Sequence, residues 1–159
     1  MAGTATPATA LLTKRRVPFR THPYQVSPDT PDYGAAVAVA LGVPAEQVFK
    51  TLVAQVDGTL AVGIVPVTGD LDLKALAAAL DGKRAALADR TLAERTTGYV
   101  RGGISPLGQR KRLPTVLDVS AKGLAEVYVS AGRRGLQLSL APAALITLTG
   151  ARLAPIATR

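Results

Sequence analysis

The chain contains no cysteine and only one histidine among its 159 residues. Without cysteine there are no disulfide bonds, no thiolate metal sites and no cysteine nucleophile. The histidine, His22, has no second histidine with which to share a metal ion. We therefore interpret it as a structural residue, and we predict neither a metal site nor a cofactor.

Long apolar runs and nucleotide-binding motifs are missing as well. A membrane span needs roughly 20 consecutive apolar residues, and the N-terminus lacks the apolar core of a signal peptide. Neither a GxxxxGK[ST] loop nor a Rossmann glycine pattern after a strand occurs. The sequence predicts a cytoplasmic protein without membrane contact, and it argues against nucleotide hydrolysis and dinucleotide chemistry.

Acidic residues are outnumbered by basic ones, 11 to 19, which gives a formal charge of +8 and a pI of about 10.3. Such an excess favours a polyanionic partner such as nucleic acid, with genomic composition as the alternative source of a high arginine content. The hydrophobic fraction of 48% is sufficient for one buried core. We expect a single domain over residues 6–159 after a flexible N-terminus at residues 1–5.

Local patterns predict helices interspersed with strands. Thr6 and Pro7 are typical of a helix start, and Asp57-Gly58 between two apolar runs is a strong hairpin signal. The predicted helices are residues 7–16, 31–41, 71–80 (entered through Asp70), 91–96 and 142–148. The predicted strands are residues 19–26, 48–56, 60–67, 85–88, 115–119, 126–130 and 136–140. This arrangement favours an α+β fold with a mixed sheet.

Residues 99–112 combine a glycine-rich turn with three consecutive cations, Arg110, Lys111 and Arg112. Glycine permits close backbone approach to a ligand and positive φ. A cation cluster offers a surface for phosphates. The combination suggests a pocket for the end of a nucleic acid, with a solvated surface patch as an equal alternative for the three cations.

Lys50 is an unusual cation because strand alternation places it on the same face as Val48 and Leu52. Two interpretations stay open from periodicity alone. Either its apolar stem is buried while the ammonium reaches solvent, or the ammonium is partly desolvated in a functional site.

A second glycine loop spans residues 130–135, between two predicted strands. An ordinary hairpin with solvated arginines is one interpretation. In the other, small residues allow backbone approach while Arg133 and Arg134 bind phosphate oxygens.

Several motifs occur together in a fixed order along the chain. They are HPY at residues 22–24, FKTL at 49–52, LDLK at 71–74, GGISPLGQ at 102–109, KRLPT at 111–115 and YVS at 128–130. In this order they resemble the YbaK/EbsC family of free-standing aminoacyl-tRNA editing proteins, and specifically its Cys-tRNA(Pro) deacylases. The resemblance covers nearly the whole chain.

The resemblance implies both a fold and an activity. The family is similar to the editing domain inserted in bacterial prolyl-tRNA synthetases, so we expect one α+β domain with a mixed, partly barrel-like sheet flanked by helices. The implied activity is hydrolysis of the ester that joins a wrong amino acid, cysteine, to the 3′ adenosine of tRNA(Pro). The implied partner is the aminoacylated acceptor end of tRNA, with recruitment either through prolyl-tRNA synthetase or through tRNA itself.

The resemblance also implies roles for individual residues. The family's essential lysine falls on Lys50, which would favour negative charge developing at the ester. Tyr24, Thr51, Gly103 and Ser130 would line the pocket. Backbone groups around Gly102 and Gly103 would hold the aminoacyl carbonyl or ribose, and Arg110, Lys111, Arg112, Arg133 and Arg134 would meet the tRNA backbone.

No protein side chain is implied as the nucleophile. In the family the substrate's own thiol is thought to attack its ester, with a bound water as the alternative. Two positions depart from the family pattern: Gln137 stands where an acidic residue is common, and Ala131 replaces a glycine. These changes leave the amino-acid preference open, so deacylation of Ala-, Ser- or Thr-tRNA and a non-catalytic tRNA-binding module remain alternatives. The sequence also leaves the oligomeric state open.

Overall fold

Helices and strands are interspersed along the computed structural model, which describes residues 4–158. Within this range the helices are α1 (Pro7–Lys14), α2 (Tyr33–Leu41), α3 (Leu73–Ala79), α4 (Arg90–Thr97) and α5 (Pro142–Thr149). The strands are β1 (Arg20–Pro23), β2 (Phe49–Val56), β3 (Thr59–Pro66), β4 (Ala85–Leu87), β5 (Thr115–Asp118), β6 (Val127–Arg133), β7 (Leu136–Leu140) and β8 (Arg152–Ala154). The expected α+β class is confirmed.

Side-chain caps begin the helices where the sequence supplies a hydroxyl or carboxylate. The Thr6 side chain accepts a hydrogen bond from the backbone N–H of Thr9 (3.1 Å), and Pro7 follows in the first turn of α1. For α3 the cap is Asp72, whose carboxylate accepts from the backbone N–H of Ala75 (3.0 Å). The capping residue thus lies two residues after the predicted entry at Asp70, which leaves Asp70 in the connecting loop.

The strands form two sheets. In the five-stranded sheet the order is β4-β2-β3-β5-β8, with antiparallel β2–β3 and β2–β4 pairs and parallel β3–β5 and β5–β8 pairs. The β2–β3 hairpin turns at Asp57 and Gly58, both at positive φ, as the Asp-Gly signal predicts. The second sheet is antiparallel with the order β1-β7-β6. A mixed sheet is therefore confirmed.

The two sheets do not close into a barrel. An isolated parallel bridge between Val48 and Tyr128 connects them, while β4 and β8 are the outer strands of one sheet and β1 and β6 those of the other. A closed barrel has no such outer strands. The open arrangement leaves a gap beside the first half of β2.

One apolar core lies between the sheets. Phe49 and Ile64 from the five-stranded sheet and Val129 and Leu138 from the other belong to one buried cluster, with Leu12 of α1. A second buried cluster joins β2 and β3 to α3 and Ile156. Burial on both faces fixes the orientation of β2, the strand that carries Lys50.

Some local details of the structure differ from the predicted elements. The strand predicted at residues 19–26 ends at Pro23, and the chain then leaves the sheet after a backbone hydrogen bond from Tyr24 to Gly135 (2.9 Å). The three-residue β8 is absent from the sequence prediction. Residues 1–3 of the N-terminus predicted to be flexible lie outside the described residues, so that boundary stays a prediction.

Candidate functional site

A cleft of about 830 Å³ opens where the two sheets meet α2. Its lining comes from the first half of β2, the start of α2, the connection from β4 into α4, residues 101, 102 and 104, and the β6–β7 hairpin. These segments are distant in sequence and are brought together only by the fold. A cleft of this size with several polar groups is the default candidate for a ligand site.

The cleft collects part of the residue set that the sequence singles out. Tyr24, Lys50, Thr51, Gly102, Ser130 and Arg134 line it, together with Gln137. Gly103, Arg110, Lys111, Arg112 and Arg133 are outside the lining. This placement concerns position alone, and the roles assigned to these residues remain predictions.

Lys50 lies near the start of β2, between the buried Phe49 and the half-buried Thr51. Its side chain is 34% exposed, and Nζ lies 3.2 Å from the Asp70 carboxylate, which is 87% exposed. The ammonium is therefore at the rim of the cleft, neither fully desolvated nor free in solvent.

Two buried polar atoms of the cleft have no hydrogen-bond partner within residues 4–158: Thr51 Oγ1 and Gln137 Oε1. Gln137 is only 7% exposed and stands in the three-stranded sheet between His22 and Ser130. An unsatisfied buried acceptor costs about 1–3 kcal/mol. Two such atoms in one cleft are candidate partners for an ordered water or a ligand.

A tyrosine pair forms another part of the cleft. The hydroxyls of Tyr24 and Tyr33 share a hydrogen bond (3.1 Å), and the rings meet edge to face with centroids 6.4 Å apart. Burial, followed by the hydrogen bond with Tyr24, raises the pKa of the Tyr33 hydroxyl. Sequence reasoning missed Tyr33, because an aromatic residue at the start of a helix resembles an ordinary core residue.

The glycine-rich segment packs against the protein's own backbone. A Cβ atom on Gly103 would lie 2.7 Å from the Cα atom of Arg133. Gly102 has a φ of +86°, and a Cβ there would lie 2.2 Å from Nε of Arg134. The close approach that we expected toward a ligand is thus made to the β6–β7 hairpin, and Arg134 covers Gly102 at the cleft.

The three consecutive cations lie at the end of α4. The backbone N–H groups of Arg110 and Lys111 donate to the carbonyls of Thr97 (2.8 Å) and Thr96 (3.2 Å). The Arg112 guanidinium lies against Gly150, at the end of α5. All three residues are exposed. This cation surface, residues 110–112, is separate from the cleft lining.

The Glu94 carboxylate lines the cleft and accepts two hydrogen bonds. It accepts hydrogen bonds from the backbone N–H of Arg101 (2.8 Å) and from Nε of Arg90 (3.4 Å). These contacts, the Arg101 N–H above all, lower the pKa of Glu94. A low pKa keeps this carboxylate charged and makes it a poor proton carrier at neutral pH.

His22 lies outside the cleft lining. Its Nε2 shares a hydrogen bond with Ser139 Oγ (2.8 Å), and its ring centroid is 4.9 Å from that of Tyr128. Burial and then the charge of Arg20 lower the pKa of His22. The neutral, hydrogen-bonded imidazole agrees with a structural role within the sheet.

Neither a metal centre nor a membrane span is found in the part of the chain that the structure describes. Residues 4–158 contain no group of three or more His, Asp or Glu residues placed to hold a metal ion. Over the same range, no helix has the length and apolar character needed to cross a membrane.

Known proteins are similar to this chain in sequence and in fold. The family model of the aminoacyl-tRNA editing domain matches residues 27–148. EbsC of Enterococcus faecalis (strain ATCC 700802 / V583), by its name a candidate Cys-tRNA(Pro)/Cys-tRNA(Cys) deacylase, is 37% identical over 155 residues, which are 97% of this chain and 94% of that protein.

Solved structures give the same result for the fold. One, described as a candidate trans-editing enzyme for prolyl-tRNA synthetase, has a TM-score of 0.86 at 24% identity, over 100% of this chain and 99% of that chain. Another, hypothetical protein APE2540, has a TM-score of 0.84 at 25% identity, over 96% of this chain and 100% of that chain. The matched family model and the full-length likeness to EbsC agree with the resemblance in the motifs, and the chain belongs to the aminoacyl-tRNA editing domain family.

Proposed function

We propose that this protein hydrolyses Cys-tRNA(Pro) in trans, by cleaving the ester between cysteine and the 3′ adenosine. Membership of the editing family makes it a hydrolase acting on aminoacyl-tRNA. The observation that carries the finer proposal is the cleft itself, whose lining holds Lys50 together with Thr51 and Gln137, the two residues that each have a buried polar atom without a partner within residues 4–158. The name of EbsC supports cysteine as the amino acid and tRNA(Pro) as one carrier.

We assign the main catalytic role to Lys50. Ester cleavage develops negative charge on the carbonyl oxygen, and a cation held in a partly water-excluded cleft stabilises that charge. Tyr24, Thr51, Gly102 and Ser130 are proposed to contact the aminoacyl group or the terminal ribose, since each lines the same cleft. Gly103 supports this wall from outside, by allowing residues 102–104 to pack on the hairpin.

The substrate supplies the nucleophile in this proposal. The cysteinyl sulfur attacks its own carbonyl carbon, so that a C–S bond forms and the ester C–O bond breaks. The ribose oxygen leaves with the thiol proton, giving a cyclic thiolactone and free tRNA, and water then opens the C–S bond of the thiolactone to give cysteine. Only a few per cent of a thiol with a pKa of about 8.5 is ionised at neutral pH, but intramolecular attack can reach effective molarities of about 10⁵ M or more when the substrate is held in the reactive geometry.

The residues of the cleft support a mechanism without a protein nucleophile. The sequence has no cysteine, His22 is bonded to Ser139 outside the lining, and Ser130 Oγ accepts a hydrogen bond from the backbone of Gly132 (3.1 Å). None of these arrangements pairs a nucleophile with a general base. Attack by a bound water is the alternative mechanism, and an experiment must distinguish it from attack by the substrate thiol.

The partners follow from this activity. The acceptor end of tRNA is the substrate, and the net charge of +8 supports binding of its backbone. We further propose association with prolyl-tRNA synthetase, supported by the description of the solved relative as a trans-editing enzyme for that synthetase. Translation in the cytoplasm supplies the mischarged tRNA, so we propose that the enzyme acts there. Co-elution with the synthetase, with and without tRNA(Pro), tests the association.

The test is deacylation of a panel of tRNAs charged with cysteine, alanine, serine, threonine or proline. We expect release of cysteine from tRNA(Pro) to be fastest. If another amino acid is released faster, the enzyme edits that residue, and if none is released while the tRNAs bind, the protein is a tRNA-binding module.

The nucleophile is tested with S-methylcysteinyl-tRNA(Pro). Methylation removes the thiol but leaves the ester, so thiol attack predicts complete loss of release. Continued hydrolysis at an unchanged rate would instead assign the attack to water.

A further inference from the structure

We propose that Asp70 competes with the substrate for the Lys50 ammonium, so that binding of the acceptor end exchanges one anion for another at Nζ. The inference rests on the proposed function of the cleft and extends it to a residue outside the lining. Asp70 is a positioning residue in this scheme, because it acts on the reaction only through Lys50.

The contact between the two residues crosses the rim of the cleft. Lys50 lines the cleft, whereas Asp70 does not, and the Nζ–Oδ1 distance is 3.2 Å. In the free protein the ammonium is therefore paired with a carboxylate on the solvent side. The unpartnered atoms of Thr51 and Gln137 remain inside the cleft.

Asp70 is held in place by the C-terminal segment. Its backbone N–H donates to Thr158 Oγ1 (3.2 Å), and its carbonyl accepts from the backbone N–H of Thr158 (2.8 Å). The preceding residue must be glycine, since a Cβ on Gly69 would lie 1.9 Å from the Thr158 carbonyl oxygen. Leu71 adds an antiparallel bridge to Ala157. The loop is thus fastened on both sides of the carboxylate.

An ion pair this exposed contributes little to stability, since exposed pairs are worth only about 0–1 kcal/mol. Its main effect is on Lys50, because the Asp70 carboxylate neutralises the ammonium at the rim where the tRNA acceptor end is proposed to bind. A phosphate or a developing oxyanion offers Lys50 the same kind of partner as the carboxylate does. Removing the carboxylate should therefore leave the ammonium available before the substrate binds.

The experiment is a double-mutant cycle on RNA affinity, combined with deacylation kinetics. The four proteins are wild type, D70N, K50M and D70N/K50M, and the ligand is an uncharged hairpin RNA that ends in CCA. We expect D70N to tighten binding by about fivefold at low salt in the wild-type background, the upper end for an exposed pair, and to have no effect in the K50M background. In kinetics, D70N should lower KM by the same factor and leave kcat unchanged.

The matched control is D81N. Asp81 is 85% exposed and pairs with Arg152 (3.4 Å), so this variant removes the same charge from the same kind of pair elsewhere. We expect its RNA affinity to match that of wild type. Equal tightening by D70N and D81N, or by D70N in both Lys50 backgrounds, would assign the effect to general charge repulsion and overturn the proposal.

Other results overturn it equally clearly. Weaker or unchanged binding by D70N contradicts competition, and a tenfold fall in kcat would place Asp70 in the reaction itself. A wild-type protein that binds the hairpin but releases no amino acid would refute the deacylase function alone. The binding cycle would still decide the role of Asp70.

Discussion

The start of β2 and the glycine-rich segment of residues 99–112 both carry strong sequence signals, and the fold uses them differently. β2 places Lys50 and Thr51 at a cleft, with one ammonium at the rim and one hydroxyl without a partner among the described residues. Gly102 and Gly103 of the segment pack against the hairpin, and the cations of the segment lie at the end of α4. Only residues 101, 102 and 104 of the segment reach the cleft.

The difference separates two causes of the same sequence pattern. A glycine can be required where another group lies too close for a Cβ atom. That group can belong to the protein itself, as the backbone of Arg133 does for Gly103. A buried polar atom without a partner has a different cause. Its desolvation already destabilises the free protein, and a bound ligand can supply the missing hydrogen bond. The comparison predicts opposite phenotypes for substitutions in the two regions.

The largest expected effect is loss of activity in Lys50→Ala. Loss of one charge-stabilising donor typically costs about 10²–10³ in rate, so single-turnover release of cysteine should fall by about that factor. The free energy of unfolding should change little, because the side chain is one-third exposed and its ion pair is exposed too. Lys122→Ala, at an exposed lysine, is the control and should match wild type in both measurements. Equal rates for the two variants would remove Lys50 from the mechanism.

For Gly103→Ala the main expected effect is a loss of stability. The new Cβ would meet backbone atoms of Arg133 and Arg134 at 2.7–3.0 Å, so the hairpin or the segment must shift. Overpacking of this kind costs about 1–3 kcal/mol, and denaturant unfolding should show a loss near the upper end.

Gly123→Ala provides the contrast for Gly103→Ala. Its φ is +91°, but no heavy atom lies within 4 Å of the added Cβ, so only backbone strain of about 1 kcal/mol is expected. A Gly103→Ala protein as stable as wild type would show that the close approach is not needed for folding.

The elements set by local chemistry were predictable from sequence. Thr6-Pro7 begins α1 and Asp57-Gly58 turns the β2–β3 hairpin, as expected. Strand alternation and the family resemblance together single out Lys50 without knowledge of any contact. The contacts of Asp70 could not be inferred in this way, because Lys50 and Thr158 reach it only through tertiary structure. Sequence also could not show that the cations of residues 110–112 lie outside the lining.

A smaller effect, with opposite signs on stability and activity, is expected for Gln137→Leu. The substitution replaces a buried amide, whose Oε1 has no partner among the described residues, by an apolar group of similar size. Denaturant unfolding should therefore show a gain of up to about 1 kcal/mol, while release of cysteine should slow by about tenfold through loss of one hydrogen bond to the substrate. Ser139→Ala is the control in the same sheet, because its hydroxyl bonds His22 and lies outside the cleft lining, so release of cysteine should be unchanged. A destabilised Gln137→Leu protein would contradict an unsatisfied Oε1 in the free cleft.

The smallest effect is expected for the cations at the end of α4. Replacing residues 110–112 by glutamine should leave the rate constant for bound substrate unchanged, because none of the three lines the cleft. If they meet the tRNA backbone, each lost phosphate contact lowers the slope of log affinity against log salt by about 0.7–0.9, so titration at several salt concentrations is the measurement. The same replacement at residues 14–16, three exposed cations at the end of α1, removes an equal charge elsewhere. A slope reduced only by the change at residues 110–112 would assign the tRNA backbone to that surface, and equal slopes would leave it a solvated patch.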